Sequence, residues 1–353
     1  MPAFPVEFVN NMSFQVTIQS SGHSFIVEPS ESVLDAALRQ GIILPYGCRN
    51  GQCGTCAGEL LSGTVNYQNG LPDALNAGEA AQNKALFCQA RPNSDLTIKV
   101  REVDAARDIE VKTLPCRVSR LEHLAHDVVR IYLKIPEAER MQFLAGQYID
   151  VLLKDHAPRA FSIANAPHDD DFIELHIRNI SGGYFSAQVF NQMQEKAMLR
   201  IRGPLGTFFL REDSERPAIL IGGGTGFAPL KGILEHAFYT SVNKPLHLFW
   251  GVRAKHDLYL NELPEQWLQS HHNFHYTAVL SEPFAADNWQ GETGFVTDSV
   301  IRQYPDLSAY DVYMSGPPVM VEAGHRLFLK HGLDENRFFS DAFEYAALSD
   351  KLK

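Results

Sequence analysis

Four cysteines constrain this chain more than any other feature. Cys48, Cys53 and Cys56 fall within nine positions, in the stretch YGCRNGQCGTC, and Cys88 follows after 31 further residues. Gly47, Gly51, Gly54 and Gly58 crowd the same loop. Glycine loses the most backbone freedom on ordering, so a folded protein places four of them together only where the backbone must turn sharply or approach something closely. The total of five cysteines is odd, which does not read as a disulfide framework. Structural zinc sites use two separated Cys-x-x-Cys-like pairs, whereas here three candidate ligands share one loop and the fourth stands alone.

The spacing Cys-x4-Cys-x2-Cys with a distant fourth cysteine is that of a [2Fe–2S] centre. Each iron takes two thiolates, and a loop wrapped round the cluster can aim backbone N–H groups at sulfur. Cys48, Cys53, Cys56 and Cys88 are therefore the predicted metal ligands. Cys116 lies on a predicted strand further on and reads as a buried core thiol.

The chain of 353 residues exceeds one ordinary core and predicts several domains. Its formal net charge of −11 argues against nucleic-acid binding or attachment to an anionic membrane surface. No apolar run reaches the length of a membrane span, and the first residues lack a basic region followed by an apolar run. A cytoplasmic protein is expected.

Residues 14–28 read as two strands round a Ser-Ser-Gly turn. Ser30 is expected to cap a helix with Val33, Leu34, Ala37 and Leu38 on its apolar face, and Gly41 to end it. Residues 104–113 are charged and aperiodic and read as a linker. Short alternating runs follow, including CRVSRLEHL, DVVRIYLKI, QYIDVLL and FIELHIRNI, which suggest an antiparallel barrel. From about residue 217, apolar runs such as AILIGG, LHLFWG and DVYMSG alternate with helical segments, the pattern of a doubly wound parallel sheet.

Two further motifs carry chemistry. Arg159-Ala160-Phe161-Ser162 offers a cation, an aromatic face and a hydroxyl on a predicted strand. Gly182-Gly183-Tyr184-Phe185-Ser186 opens a helix, where free backbone N–H groups suit phosphate. Later, Gly222-Gly223-Gly224-Thr225-Gly226 joins a strand to a helix, the form of a pyrophosphate cradle. The next strand ends Phe249-Trp250-Gly251-Val252-Arg253, without the acidic residue of the common dehydrogenase fingerprint.

Residues 14–103 resemble a plant-type ferredoxin domain, whose four motif cysteines match those above. The remaining motifs, in this order, resemble the ferredoxin–NADP reductase superfamily. The whole chain resembles the reductase components of multicomponent oxygenases and the CDP-6-deoxy-Δ3,4-glucoseen reductase group. The resemblance implies an α+β β-grasp ferredoxin domain (1–103), the linker (104–113), an antiparallel β-barrel FAD domain (114–212) and an α/β doubly wound NAD(P)H domain (213–353). It implies flavin contacts from Arg159, Phe161, Ser162, His176, Arg178, Gly183, Tyr184, Phe185 and Ser186. Nucleotide contacts are implied for Gly223, Gly224, Thr225, Gly226, Ser315, Gly316 and Pro317. Ser162 and Ser315 are the candidates for direct involvement in hydride transfer. Phe343, in the segment FSDAFEY, is the candidate cover for the flavin, with core packing the alternative.

Two departures stand out. Phe161 replaces the family's usual tyrosine, and Ser315 replaces a frequent cysteine. Arg253 and Lys255 could hold a 2′-phosphate, but Glu282 sits where NADP-specific relatives tend to carry a base, so NADH is expected over NADPH. The implied path runs from NADH through FAD and [2Fe–2S], one electron at a time, to an oxygenase or PMP-type sugar-dehydrase component, with this chain a monomer. A redox-sensing binding module and a stand-alone flavin reductase or diaphorase are the alternatives.

Overall fold

The computed structural model describes residues 12–343, and the chain divides between Asp108 and Ile109 into two compact units.

In the first unit β1 (Phe14–Ile18) and β2 (Ser24–Val27) form a hairpin. Helix α1 (Val33–Arg39) follows, then β3 (Ala57–Ser62), β4 (Val65–Asn66), α2 (Ala77–Ala81), β5 (Lys84–Leu86), β6 (Arg91–Pro92) and β7 (Leu96–Lys99). Five strands make a mixed sheet in the order β2-β1-β7-β3-β5, with β1 and β7 parallel. Helix α1 buries Val33, Leu34, Ala36 and Ala37. Its cap is Ser32, not Ser30, because Ser32 stands three residues before an acid. Ser32 Oγ accepts from the Asp35 N–H at 3.1 Å and donates to the Asp35 carboxylate at 2.8 Å. The unpaired N–H groups of the first turn have a structural use. Val33 N–H donates to Ala90 O at 3.0 Å and Leu34 N–H to Phe87 O at 2.9 Å, which clamps the segment carrying Cys88.

The second unit opens with β8 (Lys112–Ala125), β9 (Val128–Lys134), β10 (Tyr148–Leu152), β11 (Arg159–Ser162), β12 (Ile173–Arg178), α3 (Tyr184–Asn191) and β13 (Met198–Leu205). Six strands form an antiparallel sheet in the order β11-β10-β13-β8-β9-β12. Its alternating apolar positions bury one core that includes Val118, Ile131, Ile149, Leu175 and Cys116. Among the described residues no ladder joins the end strands β11 and β12. Just past the end of β11, Ala164 N–H donates to Glu174 O of β12 at 2.8 Å, where the sheet curls back on itself.

The chain continues with β14 (Ala218–Gly223), α4 (Phe227–Tyr239), β15 (Leu246–Val252), α5 (Glu262–Ser270), β16 (Phe274–Leu280), β17 (Glu292–Thr293), α6 (Val296–Gln303), β18 (Asp311–Gly316), α7 (Pro318–Lys330) and β19 (Phe338–Ala342). These strands form a parallel sheet in the order β17-β16-β15-β14-β18-β19. Every residue of β14 and β18 is buried, as strands covered on both faces must be. The strand order reverses between β14 and β18, and open parallel sheets bind ligands at the carboxyl edge of that switch point. The two sheets of this unit share a core, in which Val128, Phe208 and Leu210 pack with Leu220, Phe227 and Trp250.

Candidate functional site

The cysteine loop is built locally. Arg49 (φ 63°), Gly51 (φ 86°) and Gly54 (φ 74°) take left-handed backbone within six residues. The loop therefore curls on itself, and its backbone points at sulfur. Cys53 N–H donates to Cys48 Sγ at 3.3 Å, and Cys48 N–H donates to Cys53 Sγ at 3.4 Å. The Cys56 and Cys88 thiols are hydrogen-bonded to each other. At Gly51 a side chain would also collide with its surroundings, since a Cβ there would stand 2.7 Å from Pro72 Cβ. Gln89, beside Cys88, donates to Arg49 O at 2.8 Å, and Arg49 donates to Asp35 of α1 at 2.6 Å, tying the fourth cysteine and the helix to the loop. Hydrogen bonding from Cys48 draws the Cys53 thiol down to about 6, against burial that opposes it. Hydrogen bonding to Cys53 and burial push Cys48 up, and hydrogen bonding to Cys88 and burial push Cys56 up. The four thiols stand as two hydrogen-bonded pairs, Cys48 with Cys53 and Cys56 with Cys88, a donor set whose protons a metal centre would displace.

The second unit assembles its site from distant segments. Ser162, ending β11, donates from Oγ to Asp341 Oδ2 at 2.7 Å, and Ser315 Oγ lies 3.5 Å from the same oxygen. Ser315 pairs with Gly222 across β18 and β14, so this junction sits at the switch point. Asp341, on β19, carries no motif of its own in the sequence. Only its place between two serines marks it.

The glycine loop after β14 is held from several sides. A Cβ on Gly226 would lie 2.0 Å from Ser315 O, and one on Gly224 (φ 56°) would lie 2.6 Å from Arg178 Nη1. Trp250 Nε1–H donates to Gly224 O at 2.9 Å, and its ring stacks on Phe227 at 4.1 Å. Thr225 lies in this turn, which runs into the N-terminus of α4. Met320 of α7 lies against Gly223, bringing the Ser315-Gly316-Pro317 turn to the loop. Phe343 N–H donates to Gly316 O at 2.9 Å, which starts this half-buried aromatic beside the same turn. Glu344 and Tyr345 of the FSDAFEY segment lie outside the described residues.

Other predicted contacts are placed differently. Arg159 Nη1 donates to Ala157 O at 2.7 Å, and the half-buried Phe161 ring lies 5.4 Å from Phe185. Phe185 is buried in the antiparallel core, and Ser186 accepts from Ile180 N–H at 3.3 Å and donates to Gly183 O at 3.2 Å, closing the turn before α3. Tyr184 is exposed and stacks on His156 at 3.9 Å. His176 turns inward. Its Nε2 lies 2.8 Å from Glu174 Oε1 and its Nδ1 lies 3.0 Å from Tyr259 OH. Lys231 of α4 donates to Glu174 and to Glu235, each at 3.0 Å. Burial would raise the Glu174 carboxyl, but the His176 hydrogen bond and the positive charge of Lys231 hold it near about 2. Burial lowers His176, which stays neutral. A neutral ring donating to Glu174 must accept from the Tyr259 hydroxyl at Nδ1. This chain of contacts joins the two sheets.

Three comparisons bear on the whole arrangement. Residues 16–93 match the 2Fe-2S iron-sulfur cluster binding domain, residues 115–210 the oxidoreductase FAD-binding domain, and residues 220–326 the oxidoreductase NAD-binding domain. The chain is 38% identical over 332 residues to the CDP-6-deoxy-L-threo-D-glycero-4-hexulose-3-dehydrase reductase of Yersinia pestis, covering 94% of this chain and 99% of that one. It is 34% identical over 341 residues to the phenol hydroxylase P5 protein of Acinetobacter pittii, covering 95% and 96%. The chain belongs to the iron–sulfur flavoprotein reductases.

The crystal structure of an Amycolatopsis cytochrome P450 reductase superposes on this reductase with a TM-score of 0.75 at 32% identity, covering 94% of this chain and 99% of that one. The reductase carries ferredoxin, FAD-binding and NAD-binding domains in that order, and it moves electrons from NAD(P)H through FAD and [2Fe–2S]. The residues present fit those groups. The three loop cysteines with Cys88 fit the cluster, and the Gly224-Thr225-Gly226 turn before α4 fits a pyrophosphate. None of the described helices is long and apolar enough to cross a membrane.

Proposed function

We propose that this reductase takes NADH in preference to NADPH and hands single electrons from a cluster on Cys48, Cys53, Cys56 and Cys88 to a separate oxygenase or sugar-dehydrase component. The observation that supports hydride passing between nicotinamide and flavin is the meeting of Ser162 and Ser315 on Asp341, because it brings the end of the RAFS strand to the carboxyl edge of the nucleotide sheet. FAD, when bound, exchanges two electrons as hydride with the nicotinamide and gives them up singly to an iron–sulfur centre.

The chain's own residues supply position and charge. The glycine turn, with Thr225 and the α4 N-terminus, receives the dinucleotide pyrophosphate. Arg178, against Gly224, adds a fixed cation. Ser162 and Ser315 orient the two rings, and Asp341 orients the serines. Arg159, Gly183 and Tyr184 hold the flavin's phosphate side, and the Phe161 face packs on the cofactor. His176, Phe185 and Ser186 act behind it, keeping β12 and α3 in place. The curled antiparallel sheet is read as the family's barrel, and the first unit's sheet with α1 as a β-grasp.

Cofactor choice rests on the strand ends. Glu282 N–H donates to Arg253 O at 2.8 Å, so an exposed acidic residue is tied by its backbone to the exposed basic residue a 2′-phosphate would need. The kcat/KM ratio is expected to favour NADH by about tenfold, the roughly 1.4 kcal/mol of one opposed charge contact near the surface. Glu282→Lys should narrow it. A ratio favouring NADPH in the unmodified enzyme would overturn this reading. The acceptor class is tested by adding the iron- and FAD-loaded reductase to a purified PMP-type dehydrase or to a diiron or Rieske oxygenase component and following NADH-dependent product formation. Failure with all of them while cytochrome c is still reduced would remove the proposed acceptors.

A further inference from the structure

We propose that His126, His256 and Asp257 form a binding site for a divalent transition-metal ion of the zinc class, which staples the flavin-binding sheet to the nucleotide-binding sheet. His126 occupies the turn between β8 and β9. His256 and Asp257 lie in the short turn Lys255–Asp257 that follows β15. Although these segments belong to different sheets, one ligand atom from each of the three side chains lies within 4.8 Å of the other two. The imidazole centroids are 4.9 Å apart, and His256 Nε2 stands 3.5 Å from Asp257 Oδ1.

The chemistry selects the ion. Two imidazoles and one carboxylate suit zinc and its neighbours, whereas calcium and magnesium take sets of oxygens. Three protein ligands leave one position for water, the open form of a tetrahedral site. Asp257 is fixed for this task, since its Oδ2 accepts from Ala254 N–H at 3.1 Å while Oδ1 faces the His256 ring. The histidine side chains keep 59% and 52% of their exposure, so an ion can enter from solvent and the rings can turn to meet it.

A second observation points the same way. Asp127, next to His126, pairs through Oδ2 with Arg178 Nε at 3.0 Å. Its Oδ1 is buried without a hydrogen-bond partner among the described residues and lies 3.9 Å from His126 Nε2. That distance is beyond a hydrogen bond, but a small turn of the exposed His126 ring would bring Nε2–H onto this oxygen and leave Nδ1 for the ion, the arrangement that orients a metal-bound histidine. Because the ligands come from both sheets, an ion held there stabilises their association by mass action.

The test is equilibrium dialysis of the iron- and FAD-loaded enzyme against sub-millimolar ZnCl2, with zinc and iron measured together, and thermal unfolding with and without zinc. The wild type should retain one zinc per chain with its iron unchanged, and zinc should raise its unfolding temperature. His126→Ala and His256→Ala should each weaken zinc binding by about tenfold or more. Both should load iron and FAD, and reduce ferricyanide with NADH in the absence of zinc, as the wild type does. Equal zinc uptake by wild type and both variants would overturn the proposal. So would zinc uptake matched by iron loss, which would place the ion in the cysteine loop, or no zinc retained by the wild type.

Discussion

The cysteine loop and the Asp341 junction are both small polar sites, yet they are assembled in opposite ways. The loop takes three of its four thiols from nine consecutive residues, and N–H groups of the same segment turn toward sulfur. At the junction Ser162 and Asp341 are 179 positions apart in the chain and meet only because two sheets share a core. A local site depends on its own backbone, so damage there should leave the rest of the enzyme working. A long-range site depends on everything between its parts, so remote damage should reach it.

The largest effect tests the local side. Cys53→Ser removes one proposed cluster ligand and should abolish NADH-dependent cytochrome c reduction. Ferricyanide, which takes electrons from the flavin directly, should be reduced at close to the wild-type rate. Steady-state assays with the two acceptors measure this split. Undiminished cytochrome c reduction would make this a flavin reductase with an idle loop, and equal loss with both acceptors would show that the loop is not separable from the rest.

The long-range side breaks at the Lys231–Glu174–His176 contacts. Lys231 keeps only 6% of its side-chain exposure, and Lys231→Met takes the nearer cation from the buried Glu174 and the half-buried Glu235, leaving Glu174 only Arg130 at 3.7 Å. Breaking a buried pair by removing one partner costs about 3–5 kcal/mol. Denaturant unfolding followed by flavin release should show this loss, and Glu174→Gln added to Lys231→Met should restore part of it. The same contacts set an acid limit. The native Glu174 carboxyl stays charged to about 2, against an ordinary 4.5, so the unfolded chain binds the proton first as pH falls. The stabilisation is present above about 4.5 and is lost as pH falls from there toward about 2. His176, held neutral by burial, adds a loss that begins below its ordinary 6.5. Glu174→Gln should flatten the lower part of the stability–pH curve, and an unchanged curve would dismiss this account.

The same contrast explains what could be read from the residues alone. Cysteine spacing, strand alternation and the GGGTG turn are local patterns, and each occupies the element that its spacing predicts. The cap of α1 falls at Ser32, two residues past the expected Ser30, because both serines are good caps and only the acid at Asp35 separates them. Asp341, Trp250 and Lys231 carry no local signal. A lone acid near a chain end, a tryptophan in a buried strand and a lysine on a helix become informative only when the fold brings partners to them. His176 and Phe185 follow the same rule in reverse, since their motif is local but the direction of each side chain is decided by packing.

A smaller effect probes the junction itself. Ser162→Ala removes a hydrogen bond to a carboxylate, a class worth about 1.5–3 kcal/mol. If that contact orients the reacting rings, flavin reduction by NADH should slow by about ten- to a hundredfold in stopped-flow traces, with iron content and unfolding midpoint unchanged. Asp341→Asn, which keeps an acceptor but not the charge, should slow it less. A Ser162→Ala enzyme with wild-type flavin reduction would reduce the junction to a structural contact between sheets.

The smallest effect lies at Phe161, where local and long-range influences meet. The residue belongs to a local motif, but its ring is half-buried and lies 5.4 Å from the core residue Phe185 at an interplanar angle of 48°. Phe161→Tyr adds a hydroxyl at the ring edge without changing the aromatic face. If that edge points along the bound flavin, one new hydrogen bond should tighten FAD by about 0.5–1.5 kcal/mol, a few-fold lower Kd by titration of the apoprotein. If the edge points into the core instead, the hydroxyl loses water and gains no partner, and FAD binding should stay equal or weaken along with stability. The sign of this small change reports which way packing turned a side chain that the motif alone could not orient.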